Sequence, residues 1–409
     1  MTQKDDPKPI ESNALVKRTS KGLMTNKGRR SQISLTSDII KAAAIARTSS
    51  QALVDESWMQ EIWEWADKFE IGEDIIPHDS AALLALEHFC ICIDYIDFLP
   101  KSIGNLINLT SLSILSDDPF SSQMTSLPES IGNLINLKSL SISHNRFTSL
   151  PESIGNLINL TSLDVKFNDL TSLPESIGNL INLTSLEIRS NELNFLPESI
   201  GSVIKLTSLD VKFNDLTSLP ESIGNLINLT SLDFSHNKLT LLPESIGNLI
   251  NLTFLDVSSN ELNSLPESIG NLINLTSLGV RSNEFKSLPE SIGNLIKLTS
   301  LDVSPNNFKF LNVSHNKLTS LPGSIGNLIN LTFLDVKFND LNSLPESIGN
   351  LINLKCLAIC HNNFNTLPES ITNLKNLTSI YISSNELRLL PESIDQTKIK
   401  IVIVSPLSN

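Results

Sequence analysis

His88, Cys90 and Cys92 alternate along the chain, a spacing that would set all three on one face of a β-strand. Soft side chains brought together this way could hold a metal. At about 3.3 Å per residue, however, His88 and Cys92 lie about 13 Å apart. That is too far for one tetrahedral ion to gather them without ligands from other strands. Cys356 and Cys360 are separated by the same number of residues. No metal and no cofactor is therefore expected. The sequence has no phosphate-cradling glycine loop, no dinucleotide fingerprint and no nucleophile–base pairing, so it does not read as an enzyme.

The remaining chemistry belongs to recognition. A carboxylate, a cation and a phenyl ring recur together as Asp164, Lys166 and Phe167, as Asp210, Lys212 and Phe213, and as Asp335, Lys337 and Phe338. Glu187, Arg189, Asp233, Asp256, Arg281 and Asp302 occupy matching positions in other units. Carboxylates one strand apart, about 4.8 Å, repel each other, and the neighbouring cations offset part of that. Exposed phenyl rings are typical interface anchors. These fifteen residues are the candidate partner-binding set.

The elements that must position them follow from the period. Leu-Pro recurs every 23 residues from Leu127 to Leu288 and again from Leu321 to Leu390, with a 33-residue gap between the two runs. A fixed period in the twenties means a solenoid. Within a unit, Leu163 and Val165 alternate like a short strand, Asn168 turns the chain, and Pro174 opens a short helical segment that directs Ile177 and Leu180 inward. One unit buries about seven aliphatic side chains, worth about 1.5–3 kcal/mol each. Ordering its backbone costs about 1–2 kcal/mol per residue. No unit can therefore fold alone, and each must stack on its neighbours.

The pattern L-x-x-L-x-V-x-x-N-x-L, repeated along residues 86–404, resembles the leucine-rich repeat. The LPESIGNLINL segments are similar to the Ras-group class of bacterial, plant and animal signalling scaffolds. The resemblance implies an α/β solenoid, a horseshoe whose parallel β-sheet lines the concave face, with a helical N-terminal cap. It also implies a non-catalytic protein-binding scaffold, acting in signalling or as a delivered bacterial effector. The alternative is the recognition subunit of a ubiquitin-ligase or small-GTPase/phosphatase signalling assembly.

Four regions are expected: a disordered basic tail (1–50), a helical cap (51–85), the solenoid (86–404) and a short end (405–409). The segment SWMQEIWEWADKFEI sets Trp58, Ile62, Trp65 and Phe69 on one side of a helix, fit to shield the first repeat. KIKIVIV near the other end reads as a closing strand. The stretch 301–320 contains two L-x-V runs ten residues apart, predicting a unit without its outer segment and a kink near Pro305–Phe310.

Residues 1–50 carry ten basic and four acidic side chains, leaving 20 basic against 40 acidic in the rest. An acidic body repels phosphates, so no nucleic acid is expected on the repeats, and a protein with a basic surface is the expected partner. No apolar run is long enough to span a membrane. Four cysteines without a disulfide-like pattern, and no secretory h-region, predict a cytoplasmic protein, or an exported effector acting in a host cytosol.

Overall fold

A computed structural model describes residues 56–92, 95–116, 124–298, 310–382, 391 and 400–402. All of these belong to one compact unit, Leu53–Asn409. It is a leucine-rich-repeat solenoid: fourteen parallel strands form one sheet, each paired with the strands immediately before and after it in sequence. The sheet opens with β1 (His88–Cys92) and β2 (Ser111–Leu115) and continues in three-residue strands to Ser379–Tyr381 and Lys400–Val402.

Counting Leu160 as position one of its unit, positions four and six of the strand and turn point inward. Leu163, Val165 and their equivalents are fully buried in one continuous core. Each outer segment is a five-residue 3-10 helix, such as Glu175–Asn179, that starts after proline and buries Ile177 and the following Leu180. The tight helix lets successive repeats approach closely. A Cβ on Gly178 would stand 2.6 Å from the Ser199 carbonyl oxygen of the next repeat, so only glycine fits there.

Polar groups stitch the repeats together. The Asn214 side chain donates to the carbonyls of Ile188, Val211 and Lys212, and its oxygen accepts from the Leu193 N–H. Asn168, Asn191, Asn237 and Asn260 do the same in their own repeats. The glutamates of several PES segments also have an inter-repeat role. Glu152 accepts from the Ser176 N–H and Glu267 from the Ser291 N–H, each at the start of the next outer helix.

Before the sheet, α1 (Ser57–Lys68) buries Met59, Ile62, Trp65 and Ala66. Trp65 packs edge-on against Phe89 of β1, and its indole N–H donates to the Phe98 carbonyl at 2.8 Å. The helix thus covers the apolar end of the first repeat.

The irregular stretch differs from the expectation. The strand Ser277–Gly279 pairs directly with Phe310–Asn312, with Leu278 beside Leu311. Asn316 reaches back to the Val280 carbonyl, and Glu290 accepts from the N–H groups of Gly323 and Ser324. Both the sheet and the outer helices therefore continue in register across the gap. The second L-x-V run takes the strand position, and among the described residues no unit lacks its outer helix. A repeat without an outer segment would have to leave its neighbours' outer helices unpacked, whereas ten extra residues cost little when they leave the stack intact. Most of the expected kink, 305–309, lies outside the described residues, as do Asp94 and Asp302.

Asn214→Ala is expected to destabilise the fold by about 3 kcal/mol, because it strands buried backbone groups. Asn228→Ala, which removes one bond from an exposed side chain to the Ile204 carbonyl, is expected to cost less than about 1 kcal/mol. Urea unfolding of the two variants checks the order.

Candidate binding surface

The side chains free of the core stand at positions three, five, seven and eight of each unit. Position five carries Asp164, Glu187, Asp210, Asp233, Asp256 and Asp335, and position seven carries Lys166, Arg189, Lys212, Arg281 and Lys337. Parallel in-register pairing sets Asp164 beside Glu187, Asp210 beside Asp233, and Asp233 beside Asp256. Fourteen of the fifteen candidate residues therefore share one face or its edge, and Asp302 falls outside the described residues.

The lysines bridge the acids. Lys166 Nζ lies 2.8 Å from Asp164 and 3.2 Å from Glu187. Lys212 lies 3.5 Å from Asp210 and 3.3 Å from Asp233, and Lys337 3.2 Å from Asp335. Burial alone would lower the Lys166 pKa, but hydrogen bonds and attraction to Asp164 and Glu187 leave it raised. Six carboxylates against five cations leave these two described columns at a net charge of about −1. An acidic stripe suited to a basic partner is thus largely neutralised from within. Much of the body's negative charge lies instead in the glutamates of the outer helices.

Asp256 has no ion pair among the described residues. Burial pushes its pKa up, hydrogen bonds from Ser258 oppose that, and Asp233 adds to it. Asp210 is likewise raised by burial, against the pull of Lys212.

Position eight has a further property. Phe167, Phe213 and Phe338 hold left-handed backbone, with φ of 53°, 54° and 53°. His144, His236, His315 and His361 occupy the same position with the same backbone. Their rings stack: His144 on Phe167 at 4.4 Å, Phe213 on His236 at 4.2 Å, and Phe338 between His315 at 4.2 Å and His361 at 4.1 Å. Burial lowers the His315 pKa. Sequence reasoning found the phenylalanines and missed the histidines. The signal was present, since S-H-N and K-F-N stand at multiples of 23 residues within each run, immediately before the buried asparagine.

A second exposed column was also missed. Ile204, Ile227, Ile250, Ile273, Ile296, Ile329 and Ile352 follow the outer helices, each 40–53% exposed. Along the other edge of the sheet runs an open groove lined by Thr110, Thr161, Thr184, Lys138 and Lys205. The Thr161 and Thr184 hydroxyls there donate to carbonyls of the preceding repeat, so they are structural. Cys90 and Cys92 are exposed on β1, Cys356 and Cys360 are buried, and none forms a disulfide. Among the described residues, no group of three His, Cys, Asp or Glu could hold a metal ion, and no helix is long and apolar enough to cross a membrane.

A leucine-rich repeat region model matches residues 121–213, 152–241 and 304–386, and a single leucine-rich repeat model matches 251–272. The chain belongs to the leucine-rich repeat family. A solved leucine-rich repeat protein of Leptospira interrogans is 30% identical, with a TM-score of 0.51, over 80% of this chain and 98% of that one. An internalin of Listeria monocytogenes, 22% identical over 86% of this chain and 98% of that one, shares the fold with a TM-score of 0.66. A plant peptide hormone receptor in complex with RGF2 is 28% identical, with a TM-score of 0.56, over 79% of this chain and 59% of the receptor chain. No curated protein matches the chain. The family makes the chain a protein-interaction scaffold. The cytoplasmic expectation does not stand beside the receptor match, which favours an exported or surface role. Its ground was weak in physical terms, because a repeat that stacks this completely has no need of disulfides in any compartment.

Two tests follow from this geometry. An acid with a raised folded pKa binds its proton more tightly folded than unfolded, so its advantage is present at low pH and lost as pH rises through the folded value. Asp256→Asn, which keeps an acceptor for the Ser258 N–H, should therefore raise Tm at pH 7 and give no gain below the ordinary aspartate value of 3.8. Equal melting of the two proteins at pH 7 would contradict a cost of burying that charge. At Phe338, alanine should destabilise more than glycine, by about 1 kcal/mol, because only glycine adopts this backbone freely. Denaturant midpoints of the two variants decide it.

Proposed function

We propose that the sheet face and its aromatic edge form the recognition surface for a protein partner, and that the chain is the recognition part of a larger assembly in an exported or surface setting. The observation that carries this is the ring column at position eight. Phenyl groups with 37–49% exposure stand on a backbone already fixed in a left-handed turn. Left-handed non-glycine residues cost about 1–2 kcal/mol each, a strain found at functional sites. A surface ordered before contact loses little entropy on binding, and aromatic side chains are efficient anchors.

The plant receptor solved in complex with RGF2 supports recognition as the role of this architecture. The Ras-group likeness of the LPESIGNLINL segments points to a small-GTPase or phosphatase signalling complex as that assembly, and the likeness to bacterial effectors to a ubiquitin ligase. A delivered bacterial effector is the second form of the same reading. The division into a tail (1–50), a cap (51–85), a repeat array (86–404) and an end (405–409) belongs to this proposal.

A photo-crosslinking amino acid placed at Phe213, and separately at Ile250 on the outer column, distinguishes the surfaces. Crosslinks to a protein from position 213 and none from 250 are expected. Crosslinks from 250 alone would move recognition to the isoleucine column.

A further inference from the structure

The three lysines of position seven sit in salt bridges and the two arginines do not, although Arg189 and Arg281 lie close enough to Asp210 and Asp256 to pull those acids' pKa values down against the burial that raises them. Lys166 is shared by Asp164 and Glu187, Lys212 by Asp210 and Asp233, and Lys337 pairs with Asp335. Neither the Arg189 nor the Arg281 side chain has an ion pair or a hydrogen bond among the described residues, while both backbone carbonyls accept bonds. For Arg189 this needs explaining. Glu187 stands two residues away on the same face of the same strand, yet turns back to Lys166. Asp210, on the next strand, pairs with Lys212.

Arg189 is held by something else. Its guanidinium carbon lies 5.3 Å from the centre of the Phe167 ring. Its Nε is buried and has no hydrogen-bond partner. The position-eight residue of its own repeat is Ser190, so the ring column is interrupted there. Phe167 stacks backwards on His144 and Phe213 stacks forwards on His236. The faces of Phe167 and Phe213 that look toward Ser190 therefore have no ring against them. The notch between them is one repeat wide, and the guanidinium lies within it against the Phe167 wall.

A guanidinium laid on a phenyl ring is fixed in its plane and presents its outer N–H edge as a fork matched to a carboxylate. We infer that Arg189, backed by Phe167 and flanked by Phe213, is a preformed receptor for an acidic side chain of the protein partner. Arg281, four strands further on and so about 19 Å away, is the second cation open to the same partner. This rests on the sheet face being the recognition surface and adds the chemistry of what it recognises, which is the opposite of the charge first expected.

The lysine-bridged acids on either side do not cancel the effect. Each group of two carboxylates and one lysine carries a net single negative charge, with Glu187 two residues from Arg189 on its own strand and Asp210 on the next. Those charges fall inside the screening length of about 8 Å, so salt does not remove them. Lysine holds each pair at that single net charge, and only a carboxylate in direct contact with the fork gains its two parallel hydrogen bonds.

The test is selection from a phage-displayed library of random peptides, panned in parallel on the full chain and on Arg189→Gln, with circular dichroism and melting showing that both are folded. Peptides enriched on the intact chain should carry Asp or Glu and bind Arg189→Gln at least about thirtyfold more weakly. Arg189→Lys should fail to restore them, because an ammonium lacks the planar fork. Enriched peptides without an acid, or with equal affinity for Arg189→Gln, overturn the inference, as does the absence of any peptide that prefers the intact chain. In the first two cases, loss of those peptides from Phe167→Ala/Phe213→Ala would leave the sheet face standing as the recognition surface. Their retention would remove that as well.

Discussion

The buried asparagine at position nine of each repeat holds two neighbours at one fixed distance. Asn214 donates to a carbonyl of its own repeat and to the Ile188 carbonyl of the one before, while its oxygen takes the Leu193 N–H of that same earlier repeat. Without it, several buried backbone groups would have no partner, and each such group costs about 1–3 kcal/mol. The leucine columns supply the driving force for stacking, but they are non-directional. The asparagine and the parallel strand pairing convert that force into one register. Glycine opposite serine on the outer side completes the constraint, because no larger residue leaves room for the next 3-10 helix.

This constraint determines which residues are free. Of 23 positions, the core, the asparagine, the PES glutamate and the serine–glycine contact take most. The side chains left over stand in columns one strand spacing apart, so each acts on its column neighbours before it acts on a partner. That is why the acidic stripe became a set of lysine-bridged acids, and why single rings became stacks. A surface of this kind is specified by departures from its own repeat: Arg where Lys would bridge, Ser where a ring would stack, Gly279 where an acid would stand.

Much of this was legible in the sequence. The period, the strand at Leu163–Val165, the turn at Asn168, the inward Ile177 and Leu180 and the helix carrying Trp65 all follow from apolar spacing, since burial is a property of residue type at a fixed period. The charge and ring columns were legible as columns. Three things were not. The histidines of position eight were overlooked, because a residue type that varies along a column hides it; the ring stacking appears only once the turn geometry is known. The stretch 301–320 offers two L-x-V runs that fit the strand equally well, and only the need to keep both the sheet and the outer helices packed selects Leu311. The pairing of the acids was also beyond reach. Glu187 is two residues from Arg189 and 21 from Lys166, and its choice of Lys166 depends on side-chain geometry.

The duplicated passage shows where specificity enters. Residues 163–186 and 209–232 have the same 24 letters, and their backbones form the same strand, turn and outer helix. Their surroundings are not the same. Phe167 has a histidine before it and a serine after it, whereas Phe213 has the serine before and the histidine after. One copy therefore stacks backwards and the other forwards, and a notch opens between them with Arg189 inside. Neither copy contains that notch, which arises from the order in which identical and variant repeats are joined. In a solenoid with so uniform a scaffold, exchanging or duplicating whole repeats changes the exposed columns without altering the residues that fold it.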